Sequence, residues 1–318
     1  MDRTGIGAYD DSGDRRGRPG PRHALRREVP STVALLAGEE DFAAMRRYTT
    51  FDFHDHAVYL REMEDLLRVL SSQGVHTTVA LFDPDEYAEF CTEVRLDPDL
   101  PGSRTRYTAD VAGLGATVPY AGQPIDVLLP ELIGEAERHA ALDRATELLA
   151  ASGRDPDTGE ERGRAAYVRA SQALIQLVEA SGPGTHHVVC SVPVDGSSLV
   201  AVLHAACGDD GLVHLRESEA LVFCSVLGAG IATGTRGGIV VRSTPFPTGH
   251  PDAAGEAVAT GPDVVRGWTL RNGWLRPLTE AEVFAAYCTD ADTGDPVPPE
   301  HGVDYRPGLE LPLPEGEW

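Results

Sequence analysis

Residues 31–42 read STVALLAGEEDF and residues 75–86 read VHTTVALFDPDE. Each opens as a short apolar run and breaks into acidic, helix-opening residues. Thr32–Ala37 and Val75–Phe82 therefore read as strands. Glu39, Glu40 and Asp41, and then Asp83, Pro84, Asp85 and Glu86, read as helix starts, where carboxylates complement the helix dipole and proline suits the first helical position. Between the two strands, His54–Ser72 carries Leu60, Met63, Leu67 and Leu70 at helical steps, with Asp52 as an available cap and Gly74 as a stop. A helix from Asp83 to about Arg95, a helix over Arg104–Leu114 and a third strand over Ala116–Pro119 complete the pattern. Strand–helix–strand alternation predicts an α/β domain over residues 31–151, a three-layer, parallel-sheet, Rossmann-like unit.

Beyond it, Ile125–Ala151 is the longest helical pattern, with Pro130 marking a kink or its true start. Residues 152–163, SGRDPDTGEERG, have linker composition. Residues 164–289 change character. A helix over Arg164–Ala180 is followed by short apolar runs at His186–Val194, Leu199–Ala206 and Leu212–Leu215, separated by Asp195-Gly196 and by Gly208–Gly211, turn chemistry for antiparallel hairpins. Leu221–Leu227 and Ile239–Arg242 read as further strands. Val264–Arg271, Asn272-Gly273 and Trp274–Arg276 form the clearest hairpin, which sets Leu270 opposite Leu275 and Arg271 opposite Trp274. Thr279 and Glu282 match a capping box, with Leu278 and Val283 as its hydrophobic staple. The expectation is a C-terminal α+β domain built on an antiparallel meander. Residues 290–318 are acidic and proline-rich, a tail extended along the surface or loose.

Composition narrows the chemistry. All 27 basic residues are arginine and none is lysine, a bias expected of a high-GC genome. That excludes a P-loop lysine, a pyridoxal-phosphate Schiff base and lysine-dependent kinases or aldolases. The net charge of −23 disfavours nucleic acid and anionic membranes as partners. Five cysteines without a Cys-x-x-Cys pair suggest reduced, buried thiols and a reducing compartment. No stretch has the length and apolarity of a signal peptide core or a membrane span, so a soluble, cytoplasmic protein is expected. Residues 1–30 hold seven arginines and five acids among glycines and prolines. They read as a disordered, arginine-rich arm, either a partner-binding tail or a solvated one.

The sharpest chemical candidate is a carboxylate set at strand ends: Glu39 and Asp41 after the first strand, Asp83 and Asp85 after the second. Ligands bind at the carboxyl ends of strands in open parallel sheets, and two or three carboxylates there can hold Mg²⁺ against a phosphate or water. A Glu in a first strand–helix turn with Asp-x-Asp after a later strand is also the layout of Toprim-type sites, a likeness of four residues that names no family. Helix-start chemistry accounts for the same acids without a metal: Asp83 as cap, Pro84 as first helical residue, Glu86 as capping-box partner.

Other motifs carry less. His54-Asp55-His56 has metal-like spacing, but on a helix the two rings diverge. His186 and His187 face opposite sides of a strand. His204 and His214 are candidates to face each other across a hairpin. Gly228–Gly234 has dinucleotide-like glycines, but a strand-like segment follows where a helix is needed, so a glycine-rich turn between strands is the simpler reading. Ser197 and Ser198 lack a nucleophile elbow, and Cys190 and Cys224 lie in apolar runs. The functional expectation is a non-enzymatic binding or regulatory protein, with no cofactor, engaging a protein partner through the arginine arm or an inter-domain cleft. The alternative is a Mg²⁺-dependent phosphoryl-transfer or hydrolytic enzyme using Glu39, Asp41, Asp83 and Asp85.

Overall fold

The computed structural model describes residues 31–156, 159–194, 196–246, 261–290 and 293–313. The arginine-rich arm 1–30 and the last residues of the acidic tail lie outside the described residues. By its internal contacts the chain divides into two units, Met1–Ala136 and Glu137–Trp318. The boundary falls inside a helix rather than in the polar segment 152–163. Eight helices and two mixed sheets are present among the described residues.

The first unit holds β1 (Ser31–Leu35), β2 (Thr77–Leu81) and β3 (Thr117–Pro119) in the order β1-β2-β3. As predicted, β1 and β2 run parallel, pairing Val33 with Val79 and Leu35 with Leu81. β3 runs antiparallel to β2, which corrects the expected parallel, Rossmann-like layer. Only Gly115 and Ala116 separate the preceding helix from β3, so the chain enters the sheet at the end where that helix stops. No local signal in the sequence says which end that is.

Helices α1 (Glu39–Met45), α2 (His56–Ser72), α3 (Pro84–Glu93) and α4 (Pro101–Leu114) belong to this unit. The cap of α2 is Asp55, which accepts from Val58 N at 2.9 Å, not Asp52. Two clusters form the interior. Leu36, Phe42, Met45, Tyr59, Phe82, Tyr87 and Tyr107 make an aromatic-rich one; Leu35, Leu67, Val79, Leu128 and Leu132 make an aliphatic one. Aromatic pairs such as Phe82–Tyr107 at 5.0 Å and Phe53–Tyr59 at 5.2 Å add directional contacts to that burial.

Helix α5 (Ile125–Ala151) passes through Pro130 without ending. Its later residues Ala141 and Ala145 enter the core of the second unit. That unit contains α6 (Arg162–Ser181), β4 (Gly184–Val194), β5 (Ser197–Cys207), β6 (Val213–Leu215), α7 (Glu217–Thr233), β7 (Gly237–Thr244), β8 (Asp263–Arg271), β9 (Trp274–Pro277), α8 (Glu280–Tyr287) and β10 (Val303–Tyr305). The strand order is β10-β8-β7-β4-β5-β6, with β9 on β8. Every pairing is antiparallel except β10 with β8. β4, β5 and β6 form the expected meander. The Asn272-Gly273 turn has both φ angles positive, +52° and +71°, as a type I′ hairpin requires, and it sets Leu270 opposite Leu275 and Arg271 opposite Trp274. The Thr279–Glu282 capping box is present, and Leu278 and Val283 both lie over Gly267, where a Cβ would come within 3.0 and 3.2 Å of them.

Burial alternates along the sheet. Val188, Cys190 and Val192 of β4, and Leu199, Ala201, Leu203 and Ala205 of β5, point into the core with α6 and α7. His187, Ser198, Val200 and His204 point to the outer face.

Leu221–Leu227, expected as a strand, lies inside α7, and so does most of the Gly228–Gly234 run. The helix is buried almost throughout its length, so it lacks the one-sided apolar pattern that marks a surface helix. Its glycines permit close packing. A Cβ at Gly228 would sit 3.3 Å from Tyr167 Cα of α6, and one at Gly230 would sit 2.9 Å from Leu270 and 3.0 Å from Val192. Gly234, left-handed at φ +68°, ends the helix.

The acidic tail is anchored where it is described. Trp268 Nε1 donates to Leu309 O at 2.8 Å, Trp274 Nε1 to Leu311 O at 3.4 Å, and Leu311 is buried. His186 points inward and is buried, with Nε2–H donating to Gly182 O (2.9 Å) and Nδ1 accepting from the Ser243 hydroxyl (3.0 Å). Burial holds its pKa below the ordinary imidazole value, against the Gly182 hydrogen bond.

Two outcomes follow. Gly230→Val forces side chain into a filled space and should destabilise the protein by about 1–3 kcal/mol in denaturant titrations. His186 is neutral when folded and has the lower pKa in that state. Its contribution is therefore complete above an unfolded pKa of about 6.5 and declines as pH falls below it. The melting temperature should drop between pH 7.5 and 5.5, and His186→Gln should remove part of that drop.

Candidate ligand pocket

Among the described residues the strand-end acids form no group of three or more that could hold a metal ion. Asp83 Oδ1 accepts from Asp85 N (2.8 Å) and Glu86 N (3.0 Å), so its carboxylate serves as the cap of α3 with Pro84 as first helical residue. Glu86 turns to accept from the Tyr107 hydroxyl at 3.1 Å. Asp85 is exposed, 3.8 Å from Arg47. Glu39 and Asp41 occupy the first turn of α1, which has no side-chain cap. Among the described residues, no group of three or more His, Cys, Asp or Glu side chains could hold a metal ion, so Glu39, Asp41, Asp83 and Asp85 are not such a set.

The paired histidines separate too. His54 is exposed near Asp52, whereas His56 bonds Leu36 O at 3.1 Å and stacks on Tyr59. All five cysteines are buried and free, and burial pushes Cys190 up to about 12. His204 faces His187, not His214, which pairs with Ala206.

The first unit instead contains a cavity of about 710 Å³ between β1 and α4, within the size range of small-molecule sites. β1 is an edge strand, and Ser31–Ala34 form one wall. The opposite wall is a stripe of α4: Pro101, Arg104, Thr105, Thr108, Ala109 and Ala112. The same helix buries Ser103 and Tyr107 in the core, so the adjoining stripe of small side chains borders open space. Phe51, Phe53, Tyr59, Phe82, Met45 and Met63 supply an aromatic and thioether wall.

Two donors stand out in this lining, beside the hydroxyls of Ser31, Thr32, Thr50, Thr105 and Thr108. Arg104 gives hydrogen bonds only to neutral oxygens, Nη1 to Thr50 Oγ1 at 3.0 Å and Nη2 to Thr50 O at 3.3 Å, and pairs with no carboxylate among the described residues. The Thr49-Thr50 turn beneath it is fastened by Asp99, which accepts from Thr49 Oγ1 (2.5 Å) and Thr50 N (3.0 Å). Those bonds, the Thr49 hydroxyl first, hold the Asp99 carboxyl below its usual range. The second donor is Tyr59, 4% exposed. Its oxygen accepts from Leu36 N at 3.2 Å, and its own proton meets no acceptor among the described residues. Burial pushes its pKa up to about 12, so it stays a neutral donor. Among the described residues, no acid, thiol or imidazole lines the cavity.

A family model described as a domain of unknown function (DUF8829) matches residues 20–123 of the 318. That stretch contains β1, α4 and the whole cavity wall. No curated protein and no solved structure matches the chain.

Sequence reasoning missed this site because it sought charged clusters. The available signal was the α4 stripe, with threonines and alanines at helical spacing around a single arginine.

Because Asp83 acts as a cap, Asp83→Ala should cost about 1 kcal/mol of stability in chemical denaturation. Mg²⁺ should shift the melting temperature of neither the parent nor the variant.

Proposed function

We propose that this chain is a non-enzymatic binding protein whose first unit takes a small amphipathic carboxylic acid, the apolar body against Phe51, Phe53, Tyr59 and Phe82 and the carboxylate on Arg104. The observation that carries this reading is an arginine that has no acidic partner among the described residues and lines a cavity with an aromatic wall. A guanidinium forms its strongest hydrogen bonds with a carboxylate, and those bonds strengthen beside low-dielectric walls. The Tyr59 hydroxyl supplies a further buried donor that an oxygen of the ligand can satisfy. The lining offers a guanidinium, a buried phenol and aromatic rings, groups that hold and orient a ligand, and these support binding. The enzyme alternative has no such support, since the Asp83 carboxylate is occupied by the amides of its own helix.

The test is calorimetric titration of the full chain with dodecanoate and, separately, dodecanol. Dodecanoate should bind. Arg104→Met should weaken it about tenfold or more, as removal of a charge-assisted pair does, and should leave dodecanol unchanged. Ala109→Trp, at an exposed position bordering the cavity, should block both. Equal dodecanoate affinity in the parent and Arg104→Met, or no binding of either probe, overturns the reading.

A further inference from the structure

The second unit carries a separate constellation on the outer face of its sheet, independent of the first-unit cavity. His187 of β4 stands directly opposite His204 of β5, with ring centroids 4.9 Å apart. Counted from the closing pair Val194–Ser197, this is the closer, non-hydrogen-bonded kind of antiparallel pair. Consistent with that, the His204 N–H points away from β4 and donates to Glu219 Oε2 at 2.7 Å. The two rings open onto a cavity of about 530 Å³, which Thr185, Ala206, His214, Leu215 and Arg216 also line; His214 stands opposite Ala206, one outer-face position along β5 from His204.

Glu219, in the first turn of α7, is buried. Its Oε2 lies 3.2 Å from His204 Nδ1 and its Oε1 3.2 Å from Arg216. Its two oxygens thus face the His204 backbone N–H, the His204 ring and the Arg216 guanidinium. An ionised carboxylate only accepts, so His204 carries its proton on Nδ1 and keeps the Nε2 lone pair free. A carboxylate behind an imidazole is the arrangement that orients histidine ligands of metals. The His187 ring is exposed on the outer face and makes no side-chain hydrogen bond among the described residues. The neighbouring charge does not oppose a cation. Arg242, opposite His187, is engaged by Asp263 and Glu300 at 2.7 Å each and by Tyr287 at 3.1 Å. Around the pair, two guanidiniums thus meet three carboxylates.

We propose that His187 and His204 form a two-imidazole chelate for zinc(II), with Glu219 as a positioning residue behind His204 and water completing the coordination sphere. Imidazole nitrogen suits zinc and is a poor ligand for magnesium. Two protein ligands are fewer than a structural zinc site has, so this is an exchangeable site and not a folding one.

The test is titration of the full chain with zinc chloride in excess magnesium chloride. One saturable ion per chain should be lost, or weakened at least tenfold, in His187→Gln, a variant that removes no internal hydrogen bond. His204→Gln should do the same, and His214→Ala should leave this ion in place. Glu219→Gln should weaken binding about ten- to hundredfold, the usual effect of removing the carboxylate behind a histidine ligand. It should also change the His204 tautomer seen by imidazole nitrogen-15 NMR, which a general loss of stability would not do selectively. Zinc binding that survives His187→Gln undiminished, an absence of zinc binding, or equal competition by magnesium overturns the proposal.

Discussion

The second unit rests on how closely α7 lies against its neighbours. At Gly228 and Gly230 the helix has no side chain, and the spaces a Cβ would need are filled by Tyr167, Leu270 and Val192. Backbone and sheet therefore meet at a distance larger residues would forbid. The gain is dense apolar packing in which Phe223, Val226 and Leu227 are nearly inaccessible to solvent. The same placement sets the helix start. Once α7 is seated, Arg216 and Glu219 stand at the edge of β5, and the Glu219 carboxylate takes both the backbone N–H and the ring of His204. A packing constraint in the core thus fixes the tautomer of a ring on the outer face.

The first unit works from the opposite condition, a place where packing stops. α4 turns Tyr107 and Ser103 inward and leaves threonines and alanines toward β1. Such side chains cannot fill the gap to an edge strand, and the aromatic cluster closes only one side of it. What remains is a space walled by aromatic rings and small side chains, where among the described residues one guanidinium meets no carboxylate and one buried hydroxyl proton meets no acceptor. The acids that first suggested chemistry in this unit act on the backbone, as caps and dipole partners of their own helices.

Much was legible locally. The Asn272-Gly273 hairpin with its register and the capping box of α8 follow from interactions within a few residues, the parallel pair β1–β2 follows from the alternation of strands and helices, and each is present. The pairing of His187 with His204 was within reach too, since it is the reflection of one position onto the other about the turn between Val194 and Ser197. Two element readings failed, each for its own reason. Leu221–Leu227 reads as a strand because a helix buried on all sides shows no amphipathic period. β3 was assigned a parallel partner because the direction of a strand after a two-residue link depends on where the preceding helix ends.

The sequence by itself determined where helices begin, where hairpins turn and which chemistries a lysine-free, strongly acidic chain excludes. Those are consequences of backbone hydrogen bonding, capping and composition, all short-ranged or global averages. Only the tertiary structure decided which side chains share a space: that Asp83 turns back onto its own amides, that Arg104 and Tyr59 border one cavity, and that Glu219 reaches His204. Such meetings depend on how far packed surfaces approach each other across long separations in the chain, a quantity no local pattern encodes.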